Sequence, residues 1–409
     1  MNFNKLSIIF FISLAFTFPL RANDSIPFQS AKQWSIFTAG ATFTTVGTVS
    51  NSTFNKFNIA QQSKQRHSAF DAIQYAPLAF PWAMKALGVP TRSGWSRMAT
   101  SQALSTLLMA GSVSFLKDNT SSLRPDGTDM RSFPSGHSAW VYLGATMTTY
   151  ELGWKSPWYS FGAYTIASTV AMHRIIDQRH LPKDVIAGAG IGILSAQIGY
   201  LFSDLIWGNK QIDNYFEDIK TPHPNPNSIS LINTYSIPLN KFYFNDFTIS
   251  ISPGFEAGVK WHAPIYNKMS LATTISFMSS PIFMEKGNLN LYIAPLNRLR
   301  INIAPSYHFN ISKTFSIEME AGCIYNQNFS LKSQERAISI NKNSIGGFAN
   351  IITSMRITDN FSIGANIGYE ISQNKIYLNQ STPYGINHSD KRSNVINTLN
   401  IGLSTTIDL

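Results

Sequence analysis

The sequence predicts an α + β protein of two domains, in which a bundle of six helices is followed by an antiparallel β-barrel of eight strands. Apolar residues fill long, charge-poor segments before residue 208, whereas they recur with a period of two after residue 227. The stretch between the two patterns contains three prolines among polar residues, as linkers commonly do. We therefore predict a helical domain at 23–207, a linker at 208–227 and a barrel at 228–409.

The six predicted helices are segments that carry few charges and are rich in Ala, Leu, Met and Gly. They are too long for typical strands. All contain polar or small residues, so their composition fits both a membrane span and a compact bundle. Gly188, Gly190 and Gly192 favour close helix contacts in the last segment. The predicted helices cover Trp34–Ser50, Ala69–Met84, Met98–Leu116, Ser138–Tyr150, Ser156–Met172 and Val185–Ser203.

The C-terminal half alternates apolar and polar residues, most clearly from Val395 to Leu409. Its later connections alternate between tight turns and long polar loops, the longest predicted at Ser280–Asn297, Asn326–Asn343 and Ser372–Ser393. An even number of strands with this alternation is typical of outer-membrane barrels, and a soluble sandwich or small soluble barrel is the alternative. The predicted strands cover 228–239, 246–259, 268–279, 298–309, 313–325, 344–356, 360–371 and 395–409.

Composition narrows the class of protein. Charged residues make up 13% of the chain, against about 25% in an average soluble domain, which indicates contact with a membrane. The net charge of +10 favours anionic partners such as phosphates, anionic lipids or nucleic acid. Cys323 is the one cysteine, which excludes an intrachain disulfide and a cysteine-rich metal site.

The first 22 residues predict an export signal. Lys5 precedes an apolar run from Leu6 to Leu20, and cleavage is expected after Ala22. The run is short for a bilayer span, which needs about 20 residues. An uncleaved anchor is the alternative, because Leu20 stands where a small residue is usual.

Three short pieces of the helical half carry residue types that bind and transfer phosphate. Arginine offers a planar fork for two hydrogen bonds to phosphate, and lysine adds a compact positive charge. One histidine can act as nucleophile, a carboxylate four residues later can hold its other nitrogen, and a second histidine can protonate a leaving oxygen. The pieces are Lys117 with Arg124–Pro125, Pro134–Ser135–Gly136–His137, and Arg174 with His180 and Asp184.

The order of the helices places these pieces at one face of the bundle. Lys117 follows the third predicted helix, His137 begins the fourth, and His180 precedes the sixth. In an antiparallel bundle with short connections these ends lie side by side. We expect the N–H groups of Ser135 and Gly136 to face an anion. No carboxylate cluster suggests a metal, so we expect neither a metal nor another cofactor.

These pieces resemble the signature of the type 2 phosphatidic acid phosphatase (PAP2) superfamily, K-x6-R-P, P-S-G-H and S-R-x5-H-x3-D. The resemblance covers about residues 100–205, with His173 standing where the family usually has serine. It implies a phosphohistidine on His180, which Asp184 orients, while His137 protonates the leaving group. The residues implied to bind the phosphoryl group are Lys117, Arg124, Ser135, Gly136 and Arg174. The same superfamily includes soluble acid phosphatases and vanadium haloperoxidases.

The resemblance implies a phosphorylated lipid as substrate and membrane lipids as partners, without nucleic acid. Lipid A 1-phosphate is expected first, by similarity to lipid A 1-phosphatases of the Bacteroidota that carry a barrel. Undecaprenyl diphosphate and phosphatidylglycerol phosphate are expected next. A nonspecific periplasmic acid phosphatase and a barrel adhesin with a relic helical domain are the alternatives. The oligomeric state is left open.

The linker limits where the two domains can lie. About 20 residues reach at most about 70 Å, which is too short a tether for one domain in each membrane. We therefore expect an exported protein of the cell envelope, with the barrel in the outer membrane and the active site facing the periplasm. Three further basic residues, Arg131, Arg179 and Lys183, are expected on a solvated surface, and the alternative is that they add positive potential at the mouth of the site.

Overall fold

The structure is a computed structural model. It describes residues 40–48, 58–59, 70–208, 227–244, 247–329, 338–358, 360–378 and 391–409. The predicted signal peptide at 1–22, the start of the first predicted helix and nearly all of the predicted linker lie outside the described residues.

The N-terminal half is helical, as predicted. The predicted helix at Ala69–Met84 is divided in two, because Pro77 has no N–H group to bond the carbonyl of Ile73, where the first piece ends. The helices are a segment at 40–48, α1 Phe70–Ile73, α2 Ala76–Ala86, α3 Trp95–Asn119, α4 Gly136–Leu152, α5 Pro157–Ile176 and α6 Pro182–Trp207.

Helix α6 forms the centre of the bundle. Among the described residues it is the helix long and apolar enough to cross a bilayer, but 78% of its most apolar stretch is buried inside the protein. A side chain at Gly188 would collide with the carbonyl oxygen of Ser135, and one at Gly192 with that of Ala139. The two glycines therefore let the start of α4 approach the start of α6 more closely than side chains would allow.

The C-terminal half forms a closed barrel of eight long antiparallel strands, as predicted. Its ring order is β7-β8-β10-β11-β12-β2-β5-β6, and β6 pairs with β7 to close the ring. The strands are β1 Asn58–Ile59, β2 Ser228–Pro238, β3 Lys241–Tyr243, β4 Thr248–Ile251, β5 Gly254–Tyr266, β6 Met269–Lys286, β7 Leu289–Asn310, β8 Phe315–Asn328, β9 Ile338–Ile340, β10 Asn343–Thr358, β11 Phe361–Leu378 and β12 Lys391–Asp408.

Two predictions about the barrel are wrong. The predicted strand at 246–259 is two strands, β4 and β5, separated at Pro253, which has no N–H group to continue a ladder. The predicted loop at Ser280–Asn297 continues the β6–β7 hairpin to a tight turn at Gly287. Apolar side chains of this extension pack with β3 and β4 over the end of the barrel, which is why the segment is ordered as strand.

The inside of the barrel is filled with charged side chains. Arg300 is 2% exposed and forms ion pairs with Glu256, at 2.6 Å, and with Glu370. Lys260 pairs with Glu320 at 2.7 Å. The narrow interior is thus occupied by paired charges, as expected of an eight-stranded barrel, and forms no open pore.

The helical bundle packs against the outer wall of the barrel. The Tyr142 hydroxyl of α4 donates a hydrogen bond to Asn233 Oδ1 of β2 at 3.1 Å, and Val170 of α5 is buried in one apolar cluster with Tyr235 and Phe255. Elsewhere the wall carries large exposed apolar side chains. These include Val259, Trp261, Ile275, Ile303, Ile345 and Ile351, which are 43% to 70% exposed.

Replacing the buried cation of the barrel should destabilise it strongly. Arg300→Met leaves the carboxylates of Glu256 and Glu370 buried without their partner, which should cost about 3–5 kcal/mol of unfolding free energy. Lys241→Met removes a single, partly exposed pair with Glu285 and should cost less than about 1 kcal/mol. Chemical unfolding of both variants in detergent, followed by circular dichroism, checks this difference. Equal losses would contradict it.

Adding a methyl group at the contact between α4 and α6 should also lower the free energy of unfolding. Gly188→Ala places a Cβ against the carbonyl of Ser135 and should lower the unfolding free energy by about 1–3 kcal/mol. Gly111→Ala, in α3, meets open space and should be neutral or stabilising by up to about 1 kcal/mol. The same unfolding measurement compares them, and a Gly188→Ala variant as stable as wild type would refute the close contact.

Candidate active site

The third piece of the sequence pattern meets the loop before α4 in a buried cluster. His180 and Asp184 are 2% and 0% exposed. The Ser132 hydroxyl donates to Asp184 Oδ2 at 2.6 Å and lies 3.3 Å from His180 Nδ1, whereas Asp184 Oδ2 itself is 3.8 Å from that nitrogen. The Leu181 N–H also donates to Asp184 Oδ2. Nδ1 of His180 therefore faces Ser132 and Asp184, which leaves Nε2 on the other side of the ring.

The environment keeps the His180 imidazole neutral. Burial lowers the pKa of His180 to about 3, Asp184 opposes the shift, and Arg174 and Lys117 add to it. A neutral imidazole has a free lone pair at physiological pH. This is the form that can attack phosphorus.

The start of α4 is joined to α6 through the same aspartate. The Ser135 N–H donates to the backbone oxygen of Asp184 at 2.9 Å. The prediction that this N–H faces an anion is therefore wrong, because the start of α6 supplies it with a carbonyl partner. Ser135 is the N-cap of α4, and its side chain accepts from the Ser138 N–H. Gly136 and His137 follow in the first turn, where free N–H groups and the helix dipole favour an anion.

A carboxylate absent from the sequence prediction lies among these residues. Asp71 Oδ1 accepts a hydrogen bond from Arg174 at 2.9 Å and lies 3.0 Å from His137 Nε2. Burial lowers the pKa of His137 to about 4, with Arg174 and Arg124 adding to the shift and Asp71 opposing it. One anionic oxygen is thus held by two residues of the predicted site.

The remaining predicted cations border the same pocket. Lys117, in the last turn of α3, donates to the backbone oxygen of Arg131 at 2.7 Å. Burial, reinforced by Arg124, lowers the pKa of Lys117 to about 8. Arg124 is 3.6 Å from Asp129. The structure therefore brings all eight predicted site residues to one end of the bundle.

Three neighbouring basic residues were predicted on a solvated surface. Arg131 is there, in an exposed pair with Asp118. The prediction is wrong for Arg179 and Lys183, which are 6% and 2% exposed. Arg179 is buried because it pairs with Asp126 at 3.2 Å, and Lys183 because it lies 3.9 Å from Asp184.

His173, which replaces the usual family serine, lies in the last turn of α5. Its Nδ1 is 3.5 Å from the Asp177 carboxylate, one turn along the same helix. This contact turns His173 toward its own helix end.

Ser132 and Asp71 belong to the site but were missed in the sequence. Ser132 lies two residues before Pro134, so its closeness to a motif was a usable signal. Asp71 is separated from His137 by 66 positions and lies in no motif. Only the fold brings it to the pocket.

A second cluster could hold a metal ion, but it lies inside the barrel. His262, His308 and Glu318 bring ligand atoms within 4.8 Å of one another. His262 Nε2 is 2.7 Å from Glu318 Oε1, and the Ser306 hydroxyl also donates to that oxygen. The cluster lies on β5, β7 and β8, apart from the pocket, so it takes no part in the chemistry considered below.

Comparison with known proteins supports the resemblance of the helical half to the PAP2 superfamily. Residues 98–207 match the model of the PAP2 superfamily. The chain is also similar to a lipid A 1-phosphatase of Porphyromonas gingivalis, with 28% identity over 327 residues that cover 77% of this chain and 74% of the relative.

Among solved structures, the similarity lies in the barrel. The outer membrane protein OprG of Pseudomonas aeruginosa matches 46% of this chain and 99% of its own, with a TM-score of 0.40 and 12% identity. The outer membrane protein AlkL matches 48% of this chain and 96% of its own, with a TM-score of 0.34 and 8% identity. On the match to residues 98–207, the helical half of the chain contains a PAP2 superfamily domain, the domain of a phosphoric ester hydrolase.

Proposed function

We propose that this protein is a metal-independent phosphatase that hydrolyses lipid A 1-phosphate through a phosphohistidine at His180. The observation that carries the proposal is the convergence of a buried, neutral His180 with the cations Lys117 and Arg174, both close enough to lower its pKa. Undecaprenyl diphosphate and phosphatidylglycerol phosphate are the next substrates to test.

In the proposed first step, His180 Nε2 attacks phosphorus and the bond from phosphorus to the lipid oxygen breaks. His137 donates a proton to the departing oxygen, because the negative charge of a bound phosphoryl group favours its protonated form and opposes the effect of burial on its pKa. Ser132 and Asp184 lie on the Nδ1 side of His180, where they orient the ring and stabilise its positive charge. A water then gives a proton to His137 and attacks phosphorus, the phosphorus–nitrogen bond breaks, and inorganic phosphate leaves.

The negative charge of the phosphoryl group is balanced by cations and by backbone N–H groups. Lys117, Arg124 and Arg174 supply three positive charges, and Gly136 and His137 offer the N–H groups of the first turn of α4. Positive side chains can supply this stabilisation without a metal ion.

A lipid substrate is supported by the surface around the pocket. Large apolar side chains at this end of the bundle are exposed, although apolar groups gain from burial. They are Ile73, Phe115, Met130 and Ile176, at 38% to 66%. A cationic pocket inside an apolar rim suits a phosphorylated headgroup at a membrane surface, as does the similarity to a lipid A 1-phosphatase.

We further propose that the barrel spans the outer membrane and that the helical bundle lies against its wall. A polar lumen and an apolar outer wall are the pattern of a membrane barrel. The contact between Tyr142 and Asn233 places the bundle beside the barrel, at the level of its strands. Both domains then share one membrane, as the short linker requires.

Replacing the proposed nucleophile should abolish turnover. His180→Ala should lower phosphate release from detergent-dispersed lipid A by about 10⁴-fold or more, because no phosphohistidine can form. His308→Ala, which removes a histidine in the barrel lumen, should leave release unchanged. Release is measured with EDTA present, in parallel with the two alternative lipids. Full activity of folded His180→Ala, or activity that EDTA removes, would contradict the mechanism.

Removing the carboxylate beside His137 should tighten phosphate binding. Asp71 occupies hydrogen bonds of Arg174 and His137 that a phosphate oxygen would use, and a charged hydrogen bond is worth about 1.5 kcal/mol. Asp71→Asn should therefore lower the inhibition constant of inorganic phosphate by about tenfold.

Asp118→Asn is the control for this effect. It removes a carboxylate that is paired with Arg131 and exposed to solvent, so the inhibition constant should stay near the wild-type value. Weaker phosphate inhibition of Asp71→Asn would show that Asp71 assists binding and does not compete with it.

A further inference from the structure

The pocket lies at a particular end of the barrel. The barrel strands are joined by tight turns at one end, after Tyr266, Asn310 and Thr358. The other end carries the long connections: residues 239–253 with β3 and β4, residues 329–342, residues 379–390, and the tip of the β6–β7 hairpin. The two ends are therefore distinguishable by their connections alone.

Helix α5 runs from the tight-turn end to the long-connection end. Near its start, Phe161 packs with Phe361 and Ile407, which lie at the tight-turn ends of β11 and β12. Beyond its C-terminus, Leu181 packs with Phe283 and Tyr292, near the tip of the β6–β7 hairpin. His180, next to Leu181, is thus at the long-connection end.

The distance between the two ends matches a membrane. Helix α5 has 20 residues, and at 1.5 Å per residue it is about 30 Å long, the thickness of a bilayer's hydrocarbon core. Three tryptophans lie at the helix ends away from the pocket, and tryptophan is enriched at membrane interfaces. They are Trp95, Trp158 and Trp207, each about half exposed, at 50% to 53%. One interface therefore lies at the tight-turn end and the pocket lies at the other.

In outer-membrane barrels the tight turns face the periplasm and the long loops face outward. The geometry points to a pocket that opens at the outer surface of the outer membrane, so that the phosphorylated lipid is taken from the outer leaflet. This inference rests on the proposed outer-membrane location. The sequence alone predicts that the site faces the periplasm instead. The sequence pattern does not show which end of the barrel lies beside the pocket, and the folded structure does.

Single cysteines introduced at the two ends of the protein test directly which end faces the outside of the cell. In a Cys323→Ser background, Asn119→Cys and Asn288→Cys mark the pocket end, whereas Leu87→Cys and Lys268→Cys mark the other. All four native side chains are exposed. None is in the proposed catalytic machinery, so each variant should keep lipid phosphatase activity. Intact and lysed cells are treated with a maleimide coupled to a polymer too large to pass porins.

We expect Asn119→Cys and Asn288→Cys to be labelled in intact cells, and Leu87→Cys and Lys268→Cys only after lysis. The reverse pattern would overturn the inference and leave the proposed phosphatase intact. Labelling of all four only after lysis, with the protein in the inner-membrane fraction, would overturn the inference together with the proposed location. Absence of lipid hydrolysis in wild type and in every variant would reject the proposed function. It would not affect the result on the side of the membrane, because labelling does not depend on activity.

Discussion

The candidate site depends on the hydrogen bonds that Asp184 accepts. Its side chain accepts hydrogen bonds from Ser132 and from the Leu181 N–H, and its backbone oxygen accepts from Ser135. One buried residue thus ties the start of α6 to the loop before α4 and to the segment that carries His180. A buried carboxylate is tolerated only when it is hydrogen-bonded, so the fold depends on these partners as much as the proposed chemistry does.

The barrel wall is the second support of the site. Helix α5 lies along this wall and ends beside the pocket, with Arg174 in its last turn. Leu181, directly after His180, is held against Phe283 and Tyr292 of the β6–β7 hairpin. The barrel therefore helps to fix the position of the segment that carries His180. The proposed membrane-spanning domain therefore also backs the candidate site.

The sequence predicts those site residues that lie at fixed spacings within short motifs. His180 and Asp184 are four residues apart across a helix start, and the helix order predicts that Lys117 and His137 lie near them. Asp71 could not be predicted, because its role arises from a contact across 66 positions. The burial of Arg179 was missed for the same reason, since its partner Asp126 is 53 positions away.

The two-residue period predicted the strands of the barrel wall more accurately than the points at which those strands end. Alternation identified the eight strands, because a wall with one apolar face imposes it. Residues 280–297 were misjudged as a loop because their apolar side chains pack with β3 and β4, which the strand pattern does not reveal. The same extension brings the hairpin to the pocket, so the missed part of the fold is the part that shows which end the site occupies.

The most direct test of the account is to trap the covalent intermediate. Rapid acid-free quenching of wild type with radiolabelled lipid A 1-phosphate, followed by peptide mapping, should find an acid-labile, alkali-stable phosphoryl group on the peptide that contains His180. The His180→Ala variant should carry none. Turnover without any phosphorylated histidine, or with the label on another residue, would contradict the central role of His180.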